Sequence, residues 1–364
     1  MTISPSDISS TLADGVTIGD LSEIALIDRI RHRVPPAPGW VTTGIGDDAA
    51  VIEPARGTLD VVTTDTLVEG IHFERSFVSA TDLGHKTLAV NLSDLAAMGA
   101  TPRCVVLSLV LPATMAAADL DMLVDGMLTL AGRHQVALVG GNITRSSGPL
   151  VLGMTAIGAL RRRHVLTRTG GRPGDELWVT GTLGGAAAGL ACLLRDPAGP
   201  AEGDGDLAGC VEHYRRPEPR VRIGTLLGRN RAAHAAIDLS DGLADGLRHL
   251  TQACGVGAVI DGAAVPIDEG ARRWFETQGL APLDAAVAGG DDYELLVAVS
   301  RAHRRRFAAV TRLARGVPIT HIGELTKDRA LVLRTREGDR ALPAGYEHFK
   351  TQEAGGRRQE TGEA

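Results

Sequence analysis

Apolar residues along the chain follow two different spacings. A spacing of three or four predicts helices at residues 81–98 and 116–134, and short β-branched runs predict strands at 59–64 and 105–111. The segment from Asp20 to Glu23 has the form of a capping box and predicts the start of an earlier helix. Strands and helices therefore alternate, which indicates an α/β fold in the broad sense that includes α+β arrangements.

The second half of the chain repeats this alternation after a boundary rich in Arg and Gly at residues 161–174. Before the boundary, a strand at 136–139 is expected to end at Gly140-Gly141. After it, the pattern predicts a strand at 176–180, a surface loop at 197–209 and a helix at 243–254. We therefore predict a flexible arm at 1–19, an N-terminal α/β domain at 20–160, a C-terminal α/β domain at 161–349 and a disordered tail at 350–364.

Composition narrows the class of protein. The net charge is −6, and without a basic stripe the chain does not resemble a nucleic-acid binder. No apolar run approaches the roughly 20 residues of a membrane span, and the first residues lack the pattern of a signal peptide. The four cysteines match neither a zinc site nor a CxxC pair, so free thiols are expected. These features predict a cytoplasmic protein with neither a nucleic-acid nor a membrane partner.

Acidic residues recur at the ends of apolar or glycine-rich segments. One such Asp commonly caps a helix or closes a turn. Five clusters favour a different interpretation, because buried carboxylates need a cation or donors and no run of Lys or Arg lies beside most of these clusters. The clusters are Asp47-Asp48, Asp65, Asp94, Asp238 with Asp241, and Asp291-Asp292.

Carboxylate and hydroxyl oxygens are ligands that Mg²⁺ prefers, and the ion binds through one or two carboxylates together with substrate phosphates. Several carboxylates therefore indicate several ions. A reaction between two phosphates fits this set, because charge repulsion is its main obstacle. A phosphate-monoester nucleophile has a second pKa of about 6 and needs no general base.

Two common kinase motifs are absent from the sequence. There is no GxxxxGK[ST] loop, and the VAIK, HRD and DFG set is missing. The glycine-rich turn at 181–185 can present backbone N–H groups to an anion, although a plain strand-to-helix turn explains it equally well. Arg168 is a candidate phosphate ligand in a predicted loop.

Six motifs in order resemble the thiamine-monophosphate kinases, a family of the aminoimidazole ribonucleotide synthetase superfamily. They are GIGDDAAV at 44–51, TDTLVEGIHF at 64–73, NLSDLAAMGA at 91–100, DLSDGL at 238–243, GGDDYEL at 289–295 and GYEHF at 345–349. The resemblance implies a two-domain fold, a homodimer formed through the N-terminal domains, and phosphorylation of thiamine monophosphate by ATP without a phosphoenzyme.

The resemblance also implies roles for residues that match its motifs. The cationic thiazolium of the substrate suits a carboxylate and an aromatic face. The implied magnesium ligands are Asp48, Thr63, Thr64, Asp65, Asp94, Asn142, Asp238 and Asp241; the implied ATP contacts are Gly141, Asn142, Arg168 and Ser240; and the implied substrate contacts are His72, Asp291 and Tyr346.

Asn142 departs from the family pattern, in which Asp follows the paired glycines. An amide oxygen can still bind a cation but lacks the charge that holds it. Asn142 therefore predicts weaker magnesium binding at one position.

Three other functions remain open at this point. A sister synthetase of the same superfamily is one, although the reactive N-terminal Cys of selenophosphate synthetase is missing, since the first cysteine is Cys104. A non-catalytic maturation or scaffold protein that binds nucleotide is the second, and a metal-dependent phosphatase is the third. Magnesium-dependent ATP turnover discriminates the kinase from the scaffold.

Overall fold

The computed structural model describes residues 15–201 and 203–345. Strands β1 to β13, in chain order, are Val41–Thr43, Val51–Ile52, Leu59–Val68, Thr101–Pro112, Ala137–Ser146, Val151–Leu160, Glu176–Thr180, Ala235–Asp238, Gly257–Asp261, Leu295–Val299, Ile319–Thr326, Leu331–Thr335 and Gly338–Ala341. Helices α1 to α10 are Glu23–Arg33, Ala80–Ala97, Ala117–His134, Gly185–Arg195, Gly205–Arg215, Val221–Asn230, Leu243–Cys254, Glu269–Thr277, Pro282–Ala288 and Arg304–Leu313.

The first half of the chain forms a four-stranded sheet in the order β3-β6-β4-β5. β4 and β5 run parallel, and the other pairs are antiparallel. Helix α2 packs on this sheet and against α3. The two helices approach closely at Gly84 and Gly126, since a Cβ on Gly84 would lie 1.8 Å from the Leu123 carbonyl oxygen. The helix pair therefore requires glycine at this contact.

The second half forms a seven-stranded sheet in the order β13-β12-β9-β11-β7-β10-β8. Its pairs are antiparallel except β12 with β9. Strand β10, which lies between β7 and the edge strand β8, is buried along its whole length, as expected for a strand covered on both faces. Its N-terminal end follows the segment that contains Asp291, so the sheet positions that segment.

Helix α2 lies between the two halves. Fifteen of its 18 residues are buried, so it is covered on nearly every side and not only along one stripe. It contacts β3, β4 and β6 of the first sheet and α5, α6 and β8 of the second half. The polar residues that it carries are therefore held at the junction between the two sheets.

Three local predictions were wrong. β5 continues through Gly140-Gly141 to Ser146, because pairing with β4 outweighs the turn preference of the glycines. Helix α5 begins at Gly205, inside the predicted loop, where Asp204 caps it. Ser22, not Asp20, caps α1, and the Asp20 carboxylate instead accepts hydrogen bonds from the backbone N–H and hydroxyl of Thr17.

The two ends of the chain are described only in part. Residues 1–14 of the predicted arm and the whole predicted tail lie outside the described residues. Ile18 is buried and its N–H donates to the Met115 carbonyl, so packed structure begins before the predicted boundary at residue 20. No helix among the described residues has the length and apolarity needed to cross a membrane. The four cysteines are free thiols, as predicted.

Candidate active site

A cavity of about 640 Å³ lies at the junction between α2, β3 and the loops of the second half. One wall is apolar and comes largely from α4, with Ala187 and Leu190. Five aspartates also line the cavity. This first cavity brings together seven of the site residues predicted from sequence: Asp65, His72, Asp94, Asp238, Ser240, Asp241 and Asp291.

Helix α2 links the aspartates of the first cavity to one another. Asp94 accepts a hydrogen bond from the hydroxyl of Thr63, which shares a face of β3 with Asp65. The neighbouring Ser93 donates to Asp238 at 2.8 Å. Consecutive residues of one helix therefore contact a strand of each sheet, and their hydrogen bonds fix the relative positions of three carboxylates.

The carboxylates of this group resist ionisation. Burial, followed by the charges of Asp94 and Asp241, raises the pKa of Asp65 to about 6. Burial, followed by the charge of Asp94, raises the pKa of Asp238 to about 7, although Ser93 and Arg168 act in the opposite direction. Burial also raises the pKa of Asp94. The chain alone therefore disfavours the charged form of these carboxylates, and added cations would stabilise it.

The spacing of these side chains is wider than that of a closed metal site. Across residues 15–201 and 203–345, no three His, Cys, Asp or Glu side chains form a group that could hold a metal ion by themselves. The carboxylates are nevertheless close enough to shift each other's pKa. This donor set fits a cation that takes part of its coordination from substrate phosphates and water.

A second cavity, of about 520 Å³, has Thr64 in its wall. Thr64 and Asp65 are consecutive residues of β3, so their side chains project to opposite faces of the sheet. Thr64 donates to the Met154 carbonyl at 3.0 Å. The structure thus divides seven of the eight predicted magnesium ligands between two cavities, and Thr63 lines neither. Those in the second are Asp48, Thr64 and Asn142.

Gly141, the second of the paired glycines before Asn142, has a packing role. A Cβ on Gly141 would lie 2.0 Å from the carbonyl oxygen of Leu107 on β4, so no other residue fits without a backbone shift. Asn142 follows it on β5, opposite Ser108, and both Gly141 and Asn142 line the second cavity. Gly141 thus allows the close strand pairing that places Asn142 beside this cavity.

The loop that joins α9 to β10 places adjacent aspartates in different environments. Asp291 and Tyr293 have left-handed backbones, with φ of 66° and 51°, a conformation that disfavours most non-glycine residues. Asp291 lines the first cavity. Asp292 is buried and accepts hydrogen bonds from the backbone N–H groups of Gly184 at 2.7 Å and Ala186 at 3.2 Å. The glycine-rich turn considered for an external anion therefore already binds an internal carboxylate.

Glu294 follows in the same segment and is fully buried. The guanidinium of Arg220 donates to both of its carboxylate oxygens, and the hydroxyl of Thr180 donates to one of them. This acid has internal donors and a cation, and it lies outside the first cavity.

His72 and Arg168 lie at different parts of the site. The ring Nδ1 of His72 accepts from the Val68 N–H at 3.1 Å, which leaves Nε2 as the protonated nitrogen of the neutral ring. Arg168 is exposed, and its charge lowers the pKa of both Asp94 and Asp238. The remaining predicted substrate contact, Tyr346, lies outside the described residues.

Sequence reasoning missed two residues in the wall of the first cavity. Lys86 and Tyr214 both line it, and the ammonium of Lys86 lies 3.9 Å from the centre of the Tyr214 ring. The available signal was a lysine in the middle of an apolar helix, in a chain that has only three lysines.

Models of known families match both halves of the chain. Residues 46–160 match the N-terminal domain of AIR synthase related proteins, and residues 172–336 match the C-terminal domain. These ranges contain the four-stranded sheet from β3 onward and most of the seven-stranded sheet. The fold expected from the resemblance is therefore confirmed.

Similarity to individual proteins identifies the family more narrowly than the two domain models do. The thiamine-monophosphate kinase of Escherichia coli K12 is 39% identical over 333 residues, which cover 90% of this chain and 98% of the relative. The crystal structure of the thiamine-monophosphate kinase from Stenotrophomonas maltophilia K279a is 39% identical, with a TM-score of 0.76 over 86% of this chain and 96% of the other. AaThiL complexed with AMPPCP and TMP is 28% identical, with a TM-score of 0.71 over 94% and 100%. The chain belongs to the thiamine-monophosphate kinase family.

Proposed function

We propose that the protein transfers the γ-phosphoryl group of ATP to thiamine monophosphate and so forms thiamine diphosphate. The observation that carries this proposal is the convergence of five aspartates, from four separate motifs, on one cavity with an apolar wall. The carboxylates suit phosphates with their cations, and the apolar wall suits the organic part of the substrate. Family membership favours this function over a scaffold, a sister synthetase or a phosphatase.

The metal in this proposal is magnesium. Its candidate ligands in the first cavity are Asp65, Asp94, Asp238 and Asp241, with Thr63 holding Asp94. Those in the second are Asp48, Thr64 and Asn142. The raised pKa values of Asp65 and Asp238 support a cation as their natural partner. Bound magnesium would neutralise the charge of the reacting phosphates.

The residues around these carboxylates would position the two substrates. Arg168 is proposed to bind ATP phosphates, because its guanidinium is the cation beside Asp94 and Asp238. Gly141, Asn142 and Ser240 are proposed as further ATP contacts. His72, Asp291 and Tyr346 are proposed contacts of thiamine monophosphate, of which the first two line the first cavity.

The proposed transfer needs no protein nucleophile. A phosphate oxygen of thiamine monophosphate forms a bond to the γ-phosphorus, and the bond from that phosphorus to the bridging oxygen breaks and releases ADP. The attacking phosphate is largely ionised at neutral pH, since its second pKa is about 6. The chain's contribution is to hold both anions in line and to offset their repulsion.

We also propose a homodimer that forms through the N-terminal domain, residues 20–160. The sheet of this domain has edge strands at β3 and β5, and an edge strand can pair with another chain. Val62 on β3 is 63% exposed and offers an apolar side chain to such a contact. A cytoplasmic location is proposed because the reaction uses ATP.

The test is release of ADP with magnesium and ATP, measured with thiamine monophosphate, thiamine or buffer as acceptor. With thiamine monophosphate as acceptor, the proposal expects ADP and thiamine diphosphate in equal amounts. With thiamine or buffer it expects neither product. ADP formed equally well without an acceptor would support a phosphatase. No turnover at high magnesium would support the scaffold.

A further inference from the structure

Lys86 lies in the middle of α2, in the buried layer between the two sheets. Its side chain is 1% exposed, whereas Lys327 is exposed. A buried ammonium is costly unless other groups compensate its charge. The groups that compensate the charge of the Lys86 ammonium therefore indicate the role of this side chain.

Two groups from the second half of the chain compensate this charge. The Nζ of Lys86 donates to Oδ2 of Asp291 at 2.9 Å, and it lies 3.9 Å from the centre of the Tyr214 ring. The Tyr214 hydroxyl in turn donates to the backbone carbonyl of His72 at 3.3 Å. Lys86 thus contacts, directly or through Tyr214, both described residues proposed to bind thiamine monophosphate.

The position of Lys86 along α2 separates it from the aspartate group. Lys86, Val90 and Asp94 are four residues apart and all line the first cavity, so they share one face of the helix. At 1.5 Å per residue, the backbone of Lys86 is about 12 Å from that of Asp94. Among the described residues that line this cavity, Lys86 is the single Lys or Arg. Lys86 is therefore about two helical turns from Asp94, one of the carboxylates proposed to hold the magnesium of the phosphates.

Asp291 is held from several directions. Its backbone N–H donates to the Ser240 carbonyl at 2.7 Å, Lys86 donates to Oδ2, and the Tyr293 hydroxyl donates to Oδ1 at 3.3 Å. Its side chain is still 33% exposed. A carboxylate held in this way, on a left-handed backbone, can present one fixed edge to a ligand.

We propose that Lys86 is a positioning residue that orients the Asp291 carboxylate toward the cationic thiazolium ring of the substrate and does not contact the substrate phosphate. This inference rests on the proposed function. In it, Asp291 of the second half of the chain binds the organic cation, and Lys86 of the first half sets the position of the Asp291 carboxylate. Lys86 acts through Asp291, and Tyr214 fixes the ammonium from the other side.

The test compares binding of thiamine monophosphate with binding of thiamine, by calorimetry, in Lys86→Met, Asp291→Asn and the double variant. Because Lys86 acts on the part that both ligands share, Lys86→Met is expected to weaken both by the same factor, about tenfold. The double variant should bind no more weakly than Asp291→Asn, since residues that act as a unit are not additive. The KM for ATP should stay within about twofold of the parent value.

Lys327→Met is the matched control and should bind both ligands as the parent does. Weakening of thiamine monophosphate alone would place Lys86 on the phosphate, and additive effects would make it independent of Asp291; either overturns the inference. If Lys86→Met fails to fold, the double variant leaves no unpaired charge, and its comparison with Asp291→Asn still shows whether Lys86 contributes to binding when the Asp291 carboxylate is absent. A parent protein that shows no ADP release with thiamine monophosphate overturns the proposed function and this inference with it.

Discussion

Two groups of buried carboxylates lie close together in this protein and differ in what faces them. Asp292 and Glu294 point away from the first cavity toward backbone N–H groups, the Thr180 hydroxyl and the Arg220 guanidinium. Asp65 and Asp238 face the cavity and each other's charge. The first pair is satisfied by the chain itself, whereas the second is left for a ligand to satisfy.

This difference separates structural acids from functional acids within one motif. In the sequence GGDDYEL, Asp291 faces the cavity, while Asp292 and Glu294 hold the fold. The residue type carries no information about which role it has. The two roles differ in position, because Asp291 lines the first cavity and Asp292 and Glu294 do not. Substitution of each group should therefore change a different property.

The largest effect is expected from Asp238→Asn. The amide keeps an acceptor for Ser93 but removes the charge, so kcat for ADP release should fall by about 10³-fold, comparable with the loss of an electrostatic catalytic group. The melting temperature should stay equal or rise, because burial disfavours the ionised carboxylate. Asp60→Asn, at an exposed position of β3, is the control. Retained activity in Asp238→Asn would contradict the functional assignment.

Glu294→Gln should act on stability. It leaves the largely buried Arg220 without its counterion, and breaking a buried pair in this way costs about 3 kcal/mol of unfolding free energy. Urea denaturation measures the change, with the exposed Glu276→Gln as control. If the unfolding free energies of the two variants agreed, Glu294 would not be a structural acid.

Asn142→Asp extends the comparison to the second cavity. A carboxylate beside Asp48 adds charge that favours a divalent ion, so the magnesium concentration for half-maximal activity should fall about threefold or more, a change of at least about 0.6 kcal/mol. Magnesium titration of both proteins under saturating ATP provides the measurement. Identical activation curves would remove Asn142 from the metal set.

The last prediction concerns pH. Burial raises the pKa of Asp292 to about 7, against the lowering effects of His213 and of the N–H groups of Gly184 and Ala186. Between about pH 4 and 7 the folded state then keeps a proton that the unfolded state has lost, so stability falls as pH rises.

The contribution of Asp292 to this pH dependence is the difference in melting temperature between the parent and Asp292→Asn at each pH. The melting temperature of the parent should fall more steeply from pH 5 to pH 6, by about 2 to 4 °C, the shift that about 1 kcal/mol produces in a large domain. Parallel melting curves across this range would show that Asp292 does not titrate there.

Part of this architecture could be predicted from the sequence. Helix α2 and the strand β7 have strong local patterns, and the predicted helix 243–254 matches α7. The start of α5 could not be predicted, because its capping Asp204 lies among residues typical of loops. β5 passes through two glycines because β4 pairs with it. Neither the capping of α5 by Asp204 nor the pairing of β5 with β4 can be predicted from the propensities of the local residues.

The candidate site was predictable to a similar extent. The motifs identified the aspartates, but not their division between two cavities, which follows from the alternation of Thr64 and Asp65 in a strand whose full length was not predicted. The contact between Lys86 and Asp291 joins residues 205 positions apart. Only the folded chain brings these two residues together.

Consecutive side chains of β3 line different cavities, since Asp65 lines the first and Thr64 lines the second. Because its side chains alternate, the loss or gain of one residue between Leu59 and Thr63 would rotate every later position by half a turn and carry the Asp65 carboxylate to the opposite side. A substitution can alter one cavity without the other. An insertion or deletion keeps Asp65 on its own face only if it adds or removes two residues. Insertions and deletions in this strand are therefore far more restricted than substitutions.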